Sequence, residues 1–144
     1  MKEYYIFNLK NEFKRLYKDK PSELFFIFNR IYYMKEMDKQ YGYTLFSQIA
    51  EFYDKEKINK FLTSRYQDKI MYSFSVDEHI INNLFLNEIS IFTVKNSNIR
   101  IESNMNNPAF LEDLRCLDLH LFVCDFKKQD YFFIARKRNR SVQK

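Results

Sequence analysis

The sequence predicts one α/β domain, of the mixed α+β kind: a mixed sheet of about five strands covered by several helices. Two observations point there. Segments of strand composition, rich in Tyr, Ile, Phe and Val, fall at residues 3–9, 89–94, 99–102, 120–125 and 131–135. Between them the apolar residues recur at helical spacing. Size and composition agree: 144 residues is ordinary for a single domain, and 30% charged with 19% aromatic residues is a globular balance. With 16 Phe, 11 Tyr and no Trp, the core is expected to be built from Phe, Tyr, Ile and Leu. No linker, repeat or low-complexity block interrupts the chain, so residues 1–135 read as one globular domain and 136–144 as a basic tail.

The first strand, 3–9, leads into a helix through Lys18 that Asn8 or Asn11 could cap, with Leu9, Phe13, Leu16 and Tyr17 sharing one arc. Pro21-Ser22 restarts a helix with Ser22 as N-cap and apolar positions at 24, 25, 28, 31 and 32. A third helix is expected over 44–53 with Leu45, Ile49 and Phe52 on its inner face, and a fourth over 55–66. Residues 70–88 are ambiguous: Asp77 could cap a helix holding Ile80, Ile81, Leu84 and Phe85, while 71–74 could be extended. Beyond them, 89–94 alternates as a strand, Asn96-Ser97-Asn98 turns without glycine, and 99–102 returns. Asn107-Pro108 starts a helix, with proline in its first turn, that runs to about Cys116. A closing hairpin pairs 120–125 with 131–135 across a turn at 127–130.

Composition excludes several chemistries. Gly42 is the single glycine. Phosphate-cradling loops, dinucleotide fingerprints and nucleophile elbows all need glycine for tight turns and close backbone approach. Nucleotide-dependent enzymes of those classes are thereby removed, and no cofactor is expected. The opening residues show neither a charged segment followed by an apolar stretch nor a small-residue cleavage site, and no apolar run reaches the roughly 20 residues that cross a bilayer. Cys116 and Cys124 lack a C-x-x-C spacing and read as small buried residues of a reducing compartment, so the expected location is the cytoplasm. The net charge of +5 belongs to the tail: five of the 24 Lys and Arg lie in 136–144, leaving 19 against 19 acids elsewhere.

Candidate catalytic and metal sites are weak. His120 and Cys124, four apart on a predicted strand, would stand about 13 Å apart at roughly 3.3 Å per residue, too far for a nucleophile and its base. Cys116 beside His79 or His120 stays open, against a plain structural role. Asp77-Glu78-His79 crowds three possible ligands, yet neighbours in sequence rarely converge on one ion. Asp118 and His120 could share a strand face, and Glu51 and Asp54 could line a helix surface. The basic tail could contact nucleic acid through phosphates, but it has no interleaved aromatics on which bases could stack. A small nucleic-acid-binding protein acting through this tail is the main alternative function, and a glycine-poor, toxin-like nuclease a third.

The first helix suggests another use. Phe13 and Tyr17 stand one turn apart at the border of the apolar arc, flanked by Lys10 and Lys14, a pattern that suits either a core edge or an interface anchor. The run Tyr4-Tyr5-Ile6-Phe7-Asn8-Leu9-Lys10-Asn11-Glu12-Phe13-Lys14-Arg15-Leu16-Tyr17, continued by Glu23-Leu24-Phe25 and Phe28, resembles the start of the SirA family of sporulation inhibitors of replication. Leu121-Phe122-Val123-Cys124-Asp125-Phe126, a short polar turn, Tyr131-Phe132-Phe133 and Arg138-Asn139 are similar to that family's closing hairpin and tail. The resemblance implies a non-enzymatic protein that binds the N-terminal domain of the initiator DnaA and prevents new rounds of replication. It places Phe13 and Tyr17 on the partner surface, with Gln48-Ile49 aligning to a further contact once a one-residue gap is allowed. It implies no small-molecule substrate, no membrane and no direct nucleic-acid contact. Near Ala135-Arg136 relatives can carry a proline that this chain lacks.

Overall fold

A computed structural model describes residues 1–34 and 36–137. The alternation of β1 (Lys2–Leu9) organises everything else: Tyr4 and Ile6 point into one apolar cluster, Phe7 and Leu9 into another on the opposite face. The chain continues through α1 (Asn11–Tyr17), α2 (Pro21–Tyr32), a short 3-10 turn (Glu36–Asp38), α3 (Lys39–Ile49), β2 (Ala50–Glu51), α4 (Lys55–Arg65), β3 (Tyr72–Ser75), β4 (Glu78–Asn83), β5 (Glu88–Val94), β6 (Ile99–Ser103), α5 (Ala109–Leu114), β7 (Leu121–Asp125) and β8 (Asp130–Phe133). The α/β class is as predicted. The sheet is larger than expected, with eight strands, and every pairing in it is antiparallel, so it is not mixed.

The strand order is β3-β4-β5-β6-β1-β7-β8, with β2 paired to the end of β1. One face packs against α4 and α5 through Ile58, Leu62, Phe110, Leu111 and Leu114. The other packs against α2 and α3, where Leu24, Phe25, Phe28, Phe46 and Ile49 meet Phe7, Leu9 and Phe122. Phe7 stacks on Phe28 with centroids 4.2 Å apart, and the four rings of Phe25, Tyr32, Tyr5 and Phe126 extend the cluster.

Residues 70–88 depart furthest from expectation, although the extended reading of 71–74 holds in β3. There is no helix at Asp77; β3 and β4 form a hairpin, with His79 and Ile81 buried and their neighbours turned outward. Asp77 sits in the two-residue turn and binds Lys55 Nζ at 2.9 Å and Asn59 Nδ2 at 2.9 Å instead of capping anything. Asn59 Oδ1 in turn meets His79 Nε2 at 2.7 Å, and the Tyr72 hydroxyl meets His79 Nδ1 at 2.6 Å. Long-range partners on α4 thus fix this strand, and Leu84 and Phe85 end up in an exposed turn.

Smaller corrections concern boundaries. α3 begins at Lys39, ahead of Gly42, because that glycine is packed against Met34, whose Sδ would lie 2.7 Å from an added Cβ. It ends at Ile49 because Ala50 and Glu51 are drawn into pairing with Leu9 and Asn8. Its buried side is therefore Gly42, Phe46 and Ile49; Leu45 is half-buried and Phe52 is exposed. Neither Asn8, Asn11 nor Ser22 caps a helix, the N-cap positions being Lys10 and Lys20. Pro108 is likewise an extended N-cap, and not the first helical residue. Among turns, left-handed backbone falls on Asp68, Val76, Asn87 and Gln129, in place of the glycines the chain lacks.

Candidate protein-binding surface

α1 is too short to stand alone, since isolated helices below about 12–15 residues are marginal in water. Glu12 in its first turn and Lys14 and Arg15 in its last favour it through the helix dipole. Its start is tied to other elements, Leu9 N–H donating to the His120 carbonyl at 2.8 Å and Lys10 N–H to the Ile49 carbonyl at 2.9 Å, and its end closes in a turn in which Lys20 N–H donates to the Tyr17 carbonyl at 2.9 Å. None of its residues is buried. Phe13 and Tyr17 are half-buried, packed by one side on the α2–α3 cluster, with rings nearly parallel at 11° and centroids 6.4 Å apart.

The Lys10–Ile49 bond holds the last turn of α3 against the first turn of α1. Gln48, exposed, is the residue before Ile49 and so lies one residue from the bond that ties α3 to the start of α1. Ile49 itself is buried beneath it. The predicted helical arc shared by Leu9, Phe13, Leu16 and Tyr17 does not form. Leu9 is the last strand residue, and starting the helix at Asn11 leaves Leu16 56% exposed, next to Phe13. Leu16 is thus an apolar neighbour of the pair that periodicity concealed. His120 adjoins the corner; burial holds its pKa below the ordinary value, Lys14 adds to that, and Glu51 opposes it.

The other candidates do not assemble. His120 and Asp118 precede β7 instead of sharing a strand face, and Asp118 pairs with Arg136. Cys116 is exposed, not buried as predicted, while Cys124 is buried and its thiol pKa is pushed up by that burial. Glu51 belongs to β2 and Asp54 caps α4, accepting from Lys57 N–H at 3.2 Å, so they do not line one helix. Among the described residues no group of three His, Cys, Asp or Glu could hold a metal ion, and no helix is long and apolar enough to cross a membrane. Of the basic tail, Lys137 N–H donates to the Arg115 carbonyl at 2.7 Å; residues 138–144, including Arg138-Asn139, lie outside the described residues.

These features define a small α/β domain whose first helix presents an aromatic pair at its surface. The family model described as "sporulation inhibitor of replication protein SirA" matches residues 2–137, and the chain belongs to that family. The family is one of regulators of replication and not a known enzyme family, which implies a protein partner in replication control. A search of curated proteins finds no match.

Proposed function

We propose that this domain inhibits replication initiation by binding the N-terminal domain of DnaA through the corner formed by Phe13, Tyr17 and Gln48. The observation that carries the reading is the parallel Phe13–Tyr17 pair on a helix with no buried residue, set beside the exposed end of α3. Such a corner offers what interface centres use: aromatic anchors partly immobilised before binding, an apolar neighbour in Leu16, and a polar rim in Lys10, Lys14 and Gln48. Binding acts stoichiometrically and needs no cofactor. The cytoplasm, where an initiator works, is the proposed location.

The test is calorimetric titration of the purified DnaA N-terminal domain into Phe13→Ala and Tyr17→Ala. Losing a well-packed aromatic anchor costs about 2 kcal/mol or more, roughly thirtyfold in affinity. Each variant is expected to lose binding by at least that factor while keeping the wild-type circular dichroism spectrum. Wild-type affinity in both variants removes this site. Deleting residues 136–144 is expected to leave capture intact and inhibition in place; inhibition lost with capture intact would favour the nucleic-acid reading of the tail.

A further inference from the structure

The turn between β4 and β5 carries Leu84, Phe85 and Leu86 at 87%, 101% and 62% exposure. Three consecutive apolar side chains in water call for a covering partner. The turn is well braced: Asn83 Oδ1 accepts from the N–H groups of Phe85 at 3.1 Å and Leu86 at 3.3 Å. Asn104 Oδ1 accepts from Ile89 N–H at 2.9 Å, and Asn104 Nδ2 donates to the Asn87 carbonyl at 2.8 Å. These backbone groups are thus paired before anything docks, and the collar of the knob is asparagine instead of charge. Covering it strands little polarity, and interface centres are depleted of charge.

The same chain carries a concave apolar feature of matching chemistry. A cleft of about 290 Å³ lies between α2, α3 and the sheet, lined by Tyr5, Phe28, Ile31, Tyr32, Tyr43 and Phe46 among others. Small-molecule sites run from roughly 300 to 1,000 Å³, so this one is at their lower limit and suits an inserted side chain. The cleft reaches Ser97 and Asn98, in the turn from β5 to β6. The knob is at the other end of β5, and Glu88–Val94 spans about 20 Å at roughly 3.3 Å per residue. A chain cannot fill its own cleft with its own knob, whereas a second copy can.

We propose that one copy inserts Phe85, flanked by Leu84 and Leu86, into the aromatic cleft of another, head to tail. The pair then keeps one free cleft, on the first copy, and one free knob, on the second, so association continues beyond two unless a ring closes. The contact is small and therefore weak, with half-association on the order of 0.1–1 mM. It stands apart from the proposed initiator site: on α3, Tyr43 and Gln48 point about 140° apart at roughly 100° per residue.

Sedimentation of the full chain from about 10 µM to about 1 mM tests this. The wild type is expected to gain average mass with concentration, while Phe85→Asp and Tyr43→Asp, both at exposed positions, stay monomeric throughout. Mixed together, those two variants are expected to form a complex of one copy each and no larger, because one supplies an intact cleft and the other an intact knob. A wild type that stays monomeric, association that survives Phe85→Asp, or folded variants that fail to combine overturns the proposal. A second readout uses Phe85→Trp, the sole tryptophan in a chain that has none. Its emission is expected to shift to shorter wavelength as concentration rises, and a constant spectrum over that range also overturns it.

Discussion

Acidification from pH 6.5 to 4 is expected to weaken this fold chiefly through one histidine. His79 is completely buried between β3, β5 and α4. Its tautomer follows from its partners: Asn59 Nδ2 donates to Asp77, so Asn59 Oδ1 is left to accept, and His79 must donate from Nε2 and accept at Nδ1 from the Tyr72 hydroxyl. Burial raises the Tyr72 pKa to about 12, so the phenol remains a donor throughout. Burial lowers the His79 pKa from 6.5 to about 4, with Asp77 opposing the shift. Between those values the unfolded chain takes up a proton that the folded chain refuses, so stability is intact above pH 6.5 and falls as pH drops towards 4. At about 1.4 kcal/mol per unit, the full loss is on the order of 3 kcal/mol. Urea denaturation at pH 7, 6, 5 and 4.5 measures it, best in a His120→Gln background, because His120 is shifted in the same direction. Asp77 and Glu3, whose pKa values are held low by Lys55 and by Tyr5 respectively, lose their contributions as pH falls through their ordinary values of 3.8 and 4.5 and below, at the acid end of this range and beyond it. Asn59→Asp puts a carboxylate against Nε2 and is expected to flatten the profile by raising the His79 pKa. A stability flat from pH 7 to 4.5, or a His79 resonance titrating near 6.5 in the folded protein, would refute this reasoning.

Three other substitutions read single contacts. Glu88 is buried and accepts from Ser90 Oγ at 2.5 Å and Ala109 N–H at 3.1 Å, capping α5 from across the sheet. Glu88→Ala strands the Ala109 N–H and leaves the Ser90 hydroxyl with Ser103 Oγ alone, at 2.7 Å, and is expected to cost about 1–3 kcal/mol in urea denaturation, without changing binding. Asp113 joins α5 to α4 by accepting from the Tyr66 hydroxyl and from Arg65 Nε, the latter at 2.6 Å. Asp113→Asn is expected to cost about 1–3 kcal/mol, seen as a lower midpoint. Val76 holds φ 52 at the first position of the two-residue turn between β3 and β4, where a β-branched residue is strained and glycine is preferred. Val76→Gly is expected to raise stability by about 1 kcal/mol after glycine's own entropy cost; a lower melting temperature contradicts that.

What could be read in advance depended on whether the signal was local. β1, β5, β6 and β7 alternate between apolar faces or carry unbroken apolar runs, and α2 and α4 keep helical spacing, so these elements were visible in the sequence. The β3–β4 hairpin was hidden because its inward residues are His79 and Ile81, and a buried histidine is legible only with Tyr72 and Asn59 in place. The start of α3 at Lys39 is not legible locally, since Gly42 fits the helix through its packing against Met34. At the candidate surface, the four-residue spacing of Phe13 and Tyr17 suggested a pair, and the pair exists. Leu16 is exposed, against the helical pattern, because Leu9 belongs to β1 and not to the helix. Gln48 came from resemblance alone; its position beside α1 depends on the Lys10–Ile49 bond, which no local pattern announces.

Nuclear magnetic resonance tests the proposed interface most directly, with ¹⁵N-labelled domain titrated by unlabelled DnaA N-terminal domain. The account predicts that amide signals of α1 and of the last turn of α3 shift or broaden first, centred on Phe13, Tyr17 and Gln48. The β3–β5 end of the sheet should hold its positions. Perturbations gathered anywhere else, or none at saturating partner, would contradict it.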